Sequence, residues 1–190
     1  MKLVEQKVLT VGKVLPGEIL KVDAFLNHQI DPVVSMAMAQ EIKRLYEGTK
    51  IDRVMTVEAS GIAMGICVAY VLDCPLVFAK KSKTKNISDD VYSAQVVSYT
   101  HGNTNTVVCS KEYLHEGENV LLVDDFLATG EALNGLISLV KQAGANVAGA
   151  AIAIEKVYQG GGNALREQGY RIESLCKIAS MTDDSLTFQE

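Results

Sequence analysis

Short apolar runs alternate with amphipathic ones along most of this chain. Val54-Met55-Thr56-Val57 is brief and mostly apolar, the pattern of a strand covered on both faces. It breaks at Glu58-Ala59-Ser60-Gly61, after which Ile62 to Leu72 predicts a buried helix and Pro75 to Phe78 another strand. A second copy of this grammar is cleaner. Val120 to Val123 predicts a strand, Asp124 to Thr129 a turn, and Gly130 to Ala143 a helix with Leu133, Leu136, Ile137 and Val140 on one face. Gly144 suits the position after that helix, and Val147 to Ile154 reads as the next strand. Upstream, Asp31 is placed to cap a helix whose first residue is Pro32. Val33, Met36, Ala37, Ile42 and Leu45 carry it to about Tyr46, and Gly48 ends it. Two strand–helix–strand units, each able to make a right-handed parallel crossover, predict an α/β fold with an open, mostly parallel sheet flanked by helices.

The remaining segments depart from this grammar. Lys80 to Asp90 is polar and irregular, and Val91 to Tyr99 and Thr106 to Ser110 predict two strands joined through His101 to Asn105. A long polar segment leaving a parallel strand is a common place for a mobile lid, so residues 80–110 are expected to form a flexible lid loop and hairpin. Residues 1–31 read as a hood over one end of the sheet. From Tyr170 onward the chain predicts a terminal strand and a polar tail. All of this fits one domain over residues 1–190.

Charge and cysteine content narrow the function. Eighteen basic against 23 acidic residues give a net charge of −5, which disfavours a general binder of nucleic acid or anionic membrane. The longest uncharged apolar stretch, Ala59 to Leu72, falls short of the roughly 18 to 20 residues a bilayer requires. The first seven residues show no apolar leader segment, and a cytoplasmic protein is expected. Cys67, Cys74, Cys109 and Cys176 are far apart and lie in or beside apolar runs, and His28, His101 and His115 are scattered. That spacing speaks for reduced core thiols and against a Cys/His metal centre.

The string Val120 to Ala132 carries the most chemistry. An apolar parallel strand delivers Asp124 and Asp125 at its carboxyl end, where ligands bind in such sheets. Thr129 and Gly130 then open a helix whose free N–H groups, with the Thr129 hydroxyl, suit an anion. Carboxylates beside a phosphate would repel it unless ribose hydroxyls or a bound Mg²⁺ used them. A sugar phosphate lying across the turn satisfies both. The alternative is an ordinary strand-to-helix turn in which Asp125 merely caps. The string lacks the Lys of a P-loop and the three glycines of a dinucleotide fold.

That string resembles the phosphoribosyl-pyrophosphate (PRPP) motif of the type I phosphoribosyltransferases. Ile19 to Pro32, Val140 to Ala145 and Ile154-Glu155-Lys156 extend the likeness to the bacterial xanthine-specific branch of that family. The resemblance implies that Ala128, Thr129, Gly130, Glu131 and Ala132 bind the 5′-phosphate of PRPP. Many relatives have Thr where this chain has Ala132, which removes one hydroxyl that backbone donors would replace. Asp124 and Asp125 would face the ribose hydroxyls and the charge developing at C1′. Ser60 and Gly61 would hold pyrophosphate, and otherwise make a small-residue turn. Lys80, Lys81, Lys83 and Lys85 would neutralise pyrophosphate from the lid, and otherwise form a solvated basic run. Leu20, Asn27 and Lys156 would contact xanthine; Leu20 otherwise serves as core, Asn27 as a turn former and Lys156 as a surface charge. His28 is a structural neighbour. Mg²⁺ would arrive with PRPP, and a homodimer is implied. The same fold acting on guanine, hypoxanthine or adenine is the nearer alternative, and a PRPP-sensing transcription regulator the more distant one.

Overall fold

The computed structural model describes residues 1–81, 90–97 and 104–189. The chain opens with helix α1 (Lys2–Val11), the short strands β1 (Lys13–Leu15) and β2 (Ile19–Lys21), a wide helical turn over Asp23–Asn27, and helix α2 (Pro32–Leu45). Then follow β3 (Arg53–Val57), α3 (Gly61–Leu72), β4 (Leu76–Ala79), and the strands β5 (Val91–Val97) and β6 (Thr104–Ser110). The second half contains β7 (Asn119–Leu127), α4 (Glu131–Gln142), β8 (Asn146–Lys156), α5 (Gly161–Glu167), β9 (Ile172–Met181) and β10 (Leu186–Phe188).

Five strands pair in parallel in the order β9-β8-β7-β3-β4, and β10 adds an antiparallel edge beside β9. This is the predicted open sheet. One core layer packs the hood, α2 and α3 on one face through Val22, Phe25, Met38, Ile42 and Val68. The other packs α4 and the β5–β6 pair through Val107, Leu133, Leu136 and Val140. β7 lies between them, and Val120 to Val123 are fully buried, as a strand covered on both faces must be.

Local chemistry explains the boundaries. Asp31 Oδ1 accepts the N–H groups of Val33 (3.0 Å) and Val34 (3.2 Å), while its Oδ2 pairs with Lys7 Nζ at 2.8 Å, tying α1 to the start of α2. The Lys7 hydrogen bond holds the Asp31 carboxyl below its usual range, helped by the Val34 N–H. Tyr46 donates its hydroxyl to the Ala150 carbonyl at 2.9 Å beneath Arg171, whose guanidinium lies 4.3 Å from the ring centre. Gly149 permits this, since a Cβ there would stand 2.5 Å from the Tyr46 hydroxyl.

Four expectations change. α3 begins at Gly61 and is buried on one side only: Met64, Val68 and Val71 face the core, whereas Ile66 and Tyr70 are exposed, because no element among the described residues covers that side. β7 continues through Asp124 and Asp125 to Leu127, because β8 keeps pairing with it through Ile154 and Glu155. The two carboxylates therefore sit in the strand, not in a turn. The β5–β6 pair is no free lid, since Val107, Val108 and Cys109 are core, and Gly135 of α4 lets Val96 pack directly on the helix. The lid segment with Lys83 and Lys85, and the turn at 98–103, lie outside the described residues. Finally, the terminal strand expected after Tyr170 is β9, but the expected polar tail adds β10 to the sheet edge, and the hood leans on it through the Gly17 N–H to Asp183 Oδ1 bond (3.1 Å).

Burial pushes the thiols of Cys109 up to about 11 and Cys176 up to about 12, and it raises those of half-buried Cys67 and Cys74 as well. A thiol reagent at pH 8 is expected to modify Cys67 and Cys74 first and to reach Cys109 and Cys176 only after denaturation. Mass spectrometry of the partly labelled native protein checks this order.

Candidate active site

At the carboxyl end of β7 the sheet opens into a cleft of about 250 Å³. Its floor is Asp124, Asp125 and the segment Phe126 to Leu133; Glu58, Ser60 and Lys81 close one side, and Val96, Asn105 and Val107 another. The cleft thus sits where parallel sheets take ligands.

The helix start explains its polarity. Gly130 adopts a left-handed backbone (φ 89°), which turns the chain sharply from β7 into α4. No side chain caps α4, so its first N–H groups remain available to an anion, and Gly130, Glu131 and Ala132 line the cleft. Asp125 does not cap; its Oδ2 instead accepts the Asn27 amide of the hood at 3.2 Å.

The paired carboxylates are an electrostatic conflict. Asp124 is buried, its Oδ1 accepting the Asp125 N–H at 3.0 Å. Burial first, and the neighbouring Asp125 charge second, hold the Asp124 carboxyl well above the usual carboxylate range. Lys81 offsets part of this from across the cleft. Beneath the site Gly61 is pressed against Thr56, whose buried hydroxyl has no hydrogen-bond partner among the described residues, and a Cβ on Gly61 would stand 3.2 Å from Asp124 Oδ1.

The sequence-predicted residues divide into four groups. Asp124, Asp125, Ala128 to Ala132, Ser60 and Lys81 share the cleft. Gly61 lies behind it as packing. Lys80 is elsewhere: its backbone pairs with Val108 on both sides (2.9 Å each), and its side chain lines a separate depression with Arg53, Cys109 and Tyr113, because successive residues of an extended chain point to opposite faces. Asn27 reaches the cleft floor through Asp125. Lys156, on the neighbouring strand end, donates to the Glu18 carbonyl at 2.7 Å, and Gln159 Nε2 donates to the Glu18 carboxylate at 3.2 Å. Burial lowers the Lys156 pKa, and Glu18 counteracts it. Leu20 is buried in the hood beside this contact, as core.

Sequence reading passed over Glu58 as a site residue. It lines the cleft and accepts the Lys81 N–H at 2.6 Å. It also missed Val96, Asn105 and Val107, which reach the cleft only because the hairpin packs on α4. Among the described residues no cluster of three or more His, Cys, Asp or Glu side chains is placed to hold a metal ion.

Two strand-end carboxylates, a left-handed turn into an uncapped helix start and a mostly parallel sheet form an arrangement shared with phosphoribosyltransferases. The chain belongs to the phosphoribosyl transferase domain family, which matches residues 21–173. It is 48% identical over 188 residues to the xanthine phosphoribosyltransferase of Bacillus cytotoxicus, covering 99% of this chain and 95% of that protein. With the xanthine phosphoribosyltransferase of Finegoldia magna it shares 48% identity over 190 residues, the whole of both chains. In three dimensions it is similar to adenine phosphoribosyltransferase from Thermoanaerobacter pseudethanolicus, with a TM-score of 0.74 over 92% of this chain and 99% of that one at 24% identity, a likeness of fold.

Because Asp124 is more easily ionised in the unfolded chain than in the folded one, its contribution to stability is fullest at acid pH and is lost as pH rises through its raised pKa. Asp124→Asn is therefore expected to match the wild type in melting temperature near pH 4 and to exceed it at pH 8. The gain should be roughly 2–4 °C, the shift about 1 kcal/mol produces in a domain of this size. Thermal unfolding monitored across that pH range measures it.

Proposed function

We propose that this protein transfers the 5-phosphoribosyl group of PRPP to N9 of xanthine, releasing pyrophosphate and giving xanthosine 5′-phosphate, a purine-salvage reaction. The observation that carries the reading is the cleft in which an uncapped helix start and two strand-end carboxylates face one another. The full-length likeness to xanthine phosphoribosyltransferases supports the choice of base.

In this reading the 5′-phosphate lies on the backbone N–H groups of residues 128–132 and on the Thr129 hydroxyl. The ribose then spans Asp124 and Asp125, which hydrogen-bond its hydroxyls and stabilise positive charge growing at C1′ as the bond to pyrophosphate breaks. N9 bonds to C1′ as the C1′–O bond to pyrophosphate breaks, and the N9 proton passes to the departing pyrophosphate. No protein nucleophile is required; the tasks are alignment and exclusion of water. Ser60 and Lys81 hold the departing pyrophosphate. Asp124 and Asp125, in a cleft that Glu58 and Glu131 also line, offer oxygen ligands that fit a Mg²⁺ ion sharing its coordination with phosphate oxygens and water. Such an ion supplies charge neutralisation to pyrophosphate.

For the base, Lys156 and the Asn27 amide supply donors suited to the carbonyl oxygens of an oxopurine. A base lacking the 2-carbonyl leaves a donor unsatisfied, which costs affinity. The exposed apolar side chains of Val33 on α2 and Ile66 and Tyr70 on α3 support association with a second copy, and the acidic net charge agrees with a cytoplasmic enzyme that does not bind nucleic acid. No helix among the described residues is long and apolar enough to cross a membrane.

The test is a competition among purine bases with PRPP and Mg²⁺, read by pyrophosphate release. Xanthine is expected to be preferred over adenine, hypoxanthine and guanine by about tenfold or more in kcat/KM. Equal turnover of adenine sinks the assignment of base. Lys156→Ala is expected to raise KM for xanthine by about tenfold with little change in KM for PRPP. Parallel increases in both would remove Lys156 from base recognition.

A further inference from the structure

The glycine triplet Gly160-Gly161-Gly162 lies behind the anion loop, outside the cleft lining. Gly161 donates its N–H to the Ala128 carbonyl at 3.1 Å. The Ala128–Thr129 peptide is trans, so its C=O and N–H point in opposite directions. Fastening that carbonyl to Gly161 therefore turns the Thr129 N–H to the opposite side, towards the cleft that Ala128 and Thr129 line.

The approach tolerates no side chain. A Cβ on Gly161 would collide with the Thr129 carbonyl carbon and the Ala128 oxygen and stand 2.5 Å from Gly130 N. Every one of these atoms is backbone, which cannot swing aside as a side chain end does. Gly130, facing Gly161, is needed for its left-handed backbone (φ 89°).

The next residue is anchored on the other side. A Cβ on Gly162 would strike Glu155 Oε1 and stand 2.8 Å from Arg166 Nη1. Glu155 is fully buried and is gripped by both terminal nitrogens of Arg166 at 2.8 Å each, and it also accepts the Ser174 hydroxyl. Arg166 further donates to the Ile172 carbonyl at 3.2 Å. Burial works against the Glu155 charge, yet the Arg166 and Ser174 hydrogen bonds keep its pKa below the ordinary value. A bidentate guanidinium fixes both distance and plane.

We infer that Gly161 is a positioning residue for the phosphate loop, orienting the 128–129 peptide so that its N–H meets the 5′-phosphate, and that the Glu155–Arg166 pair holds Gly161 in register. This deepens the proposed reaction and rests on that reading of the loop.

Gly161→Ala is expected to weaken binding of ribose 5-phosphate, measured by calorimetry, and to raise KM for PRPP, each by tenfold or more, with KM for the purine changed by less than about twofold. Arg166→Lys keeps the charge but loses the two-pronged grip, and is expected to move the same two quantities in the same direction by roughly threefold. A merely structural role would lower thermal stability and the amount of active protein without separating the two substrates. The inference is overturned if folded Gly161→Ala binds ribose 5-phosphate as the wild type does, or if both KM values rise together. Should Gly161→Ala fail to fold, unchanged ribose 5-phosphate binding by Arg166→Lys overturns it equally. Wild-type protein that takes up neither ribose 5-phosphate nor PRPP would instead remove the proposed reaction itself.

Discussion

Two adjacent carboxylates on a central strand are the constraint around which this molecule is arranged. Taking Asp124 out of water next to another acidic group is unfavourable, and nothing in its immediate surroundings fully neutralises it. The strand holds them there because its apolar half, Val120 to Val123, is locked between two core layers and because β8 keeps pairing beyond them. In the proposed reaction, ribose hydroxyls and a developing cation are the partners such a pair suits. Local instability at a site, carried by a stable scaffold, is a common bargain between folding and function.

The scaffold supplies its own charge pair one strand away. Glu155 is also a buried carboxylate, one position beyond the pairing of Phe126 with Ile154, but Arg166 and Ser174 satisfy it. Breaking such a pair by removing one partner typically costs about 3–5 kcal/mol, since a naked charge is left inside. Two neighbouring strand ends thus carry buried carboxylates with opposite surroundings: Glu155 is paired, and Asp124 is crowded by a second acid. The difference lies in what the following segment brings back. After β7 comes an uncapped helix start, and after β8 a helix that returns an arginine.

The hood joins these two strand ends. Asn27 touches Asp125 on β7, and Glu18 takes a hydrogen bond from Lys156 on β8. The hood is held by Val4, Val8, Val22, Phe25 and Leu26 in the core and by polar contacts at its tips. It therefore closes one end of the sheet without being part of it, and the residues assigned to the base all lie along that seam.

Much of this was legible in the residue order. Periodicity and turn chemistry placed α2, α4 and the four parallel strands β3, β4, β7 and β8 close to where they lie, because short apolar runs and Asp-Pro or Gly boundaries act locally. Strand-end carboxylates followed by Thr-Gly likewise marked the bend from β7 into α4. What tertiary structure alone decided depends on contacts between distant segments. It extended β7 through its carboxylates by pairing with β8, sent Lys80 and Lys81 to different faces, and made the hairpin a wall of the cleft by seating Val96 against Gly135. It also brought Gly161 up behind Ala128. Such contacts are set by how layers pack in three dimensions, and spacing along one chain carries no record of them.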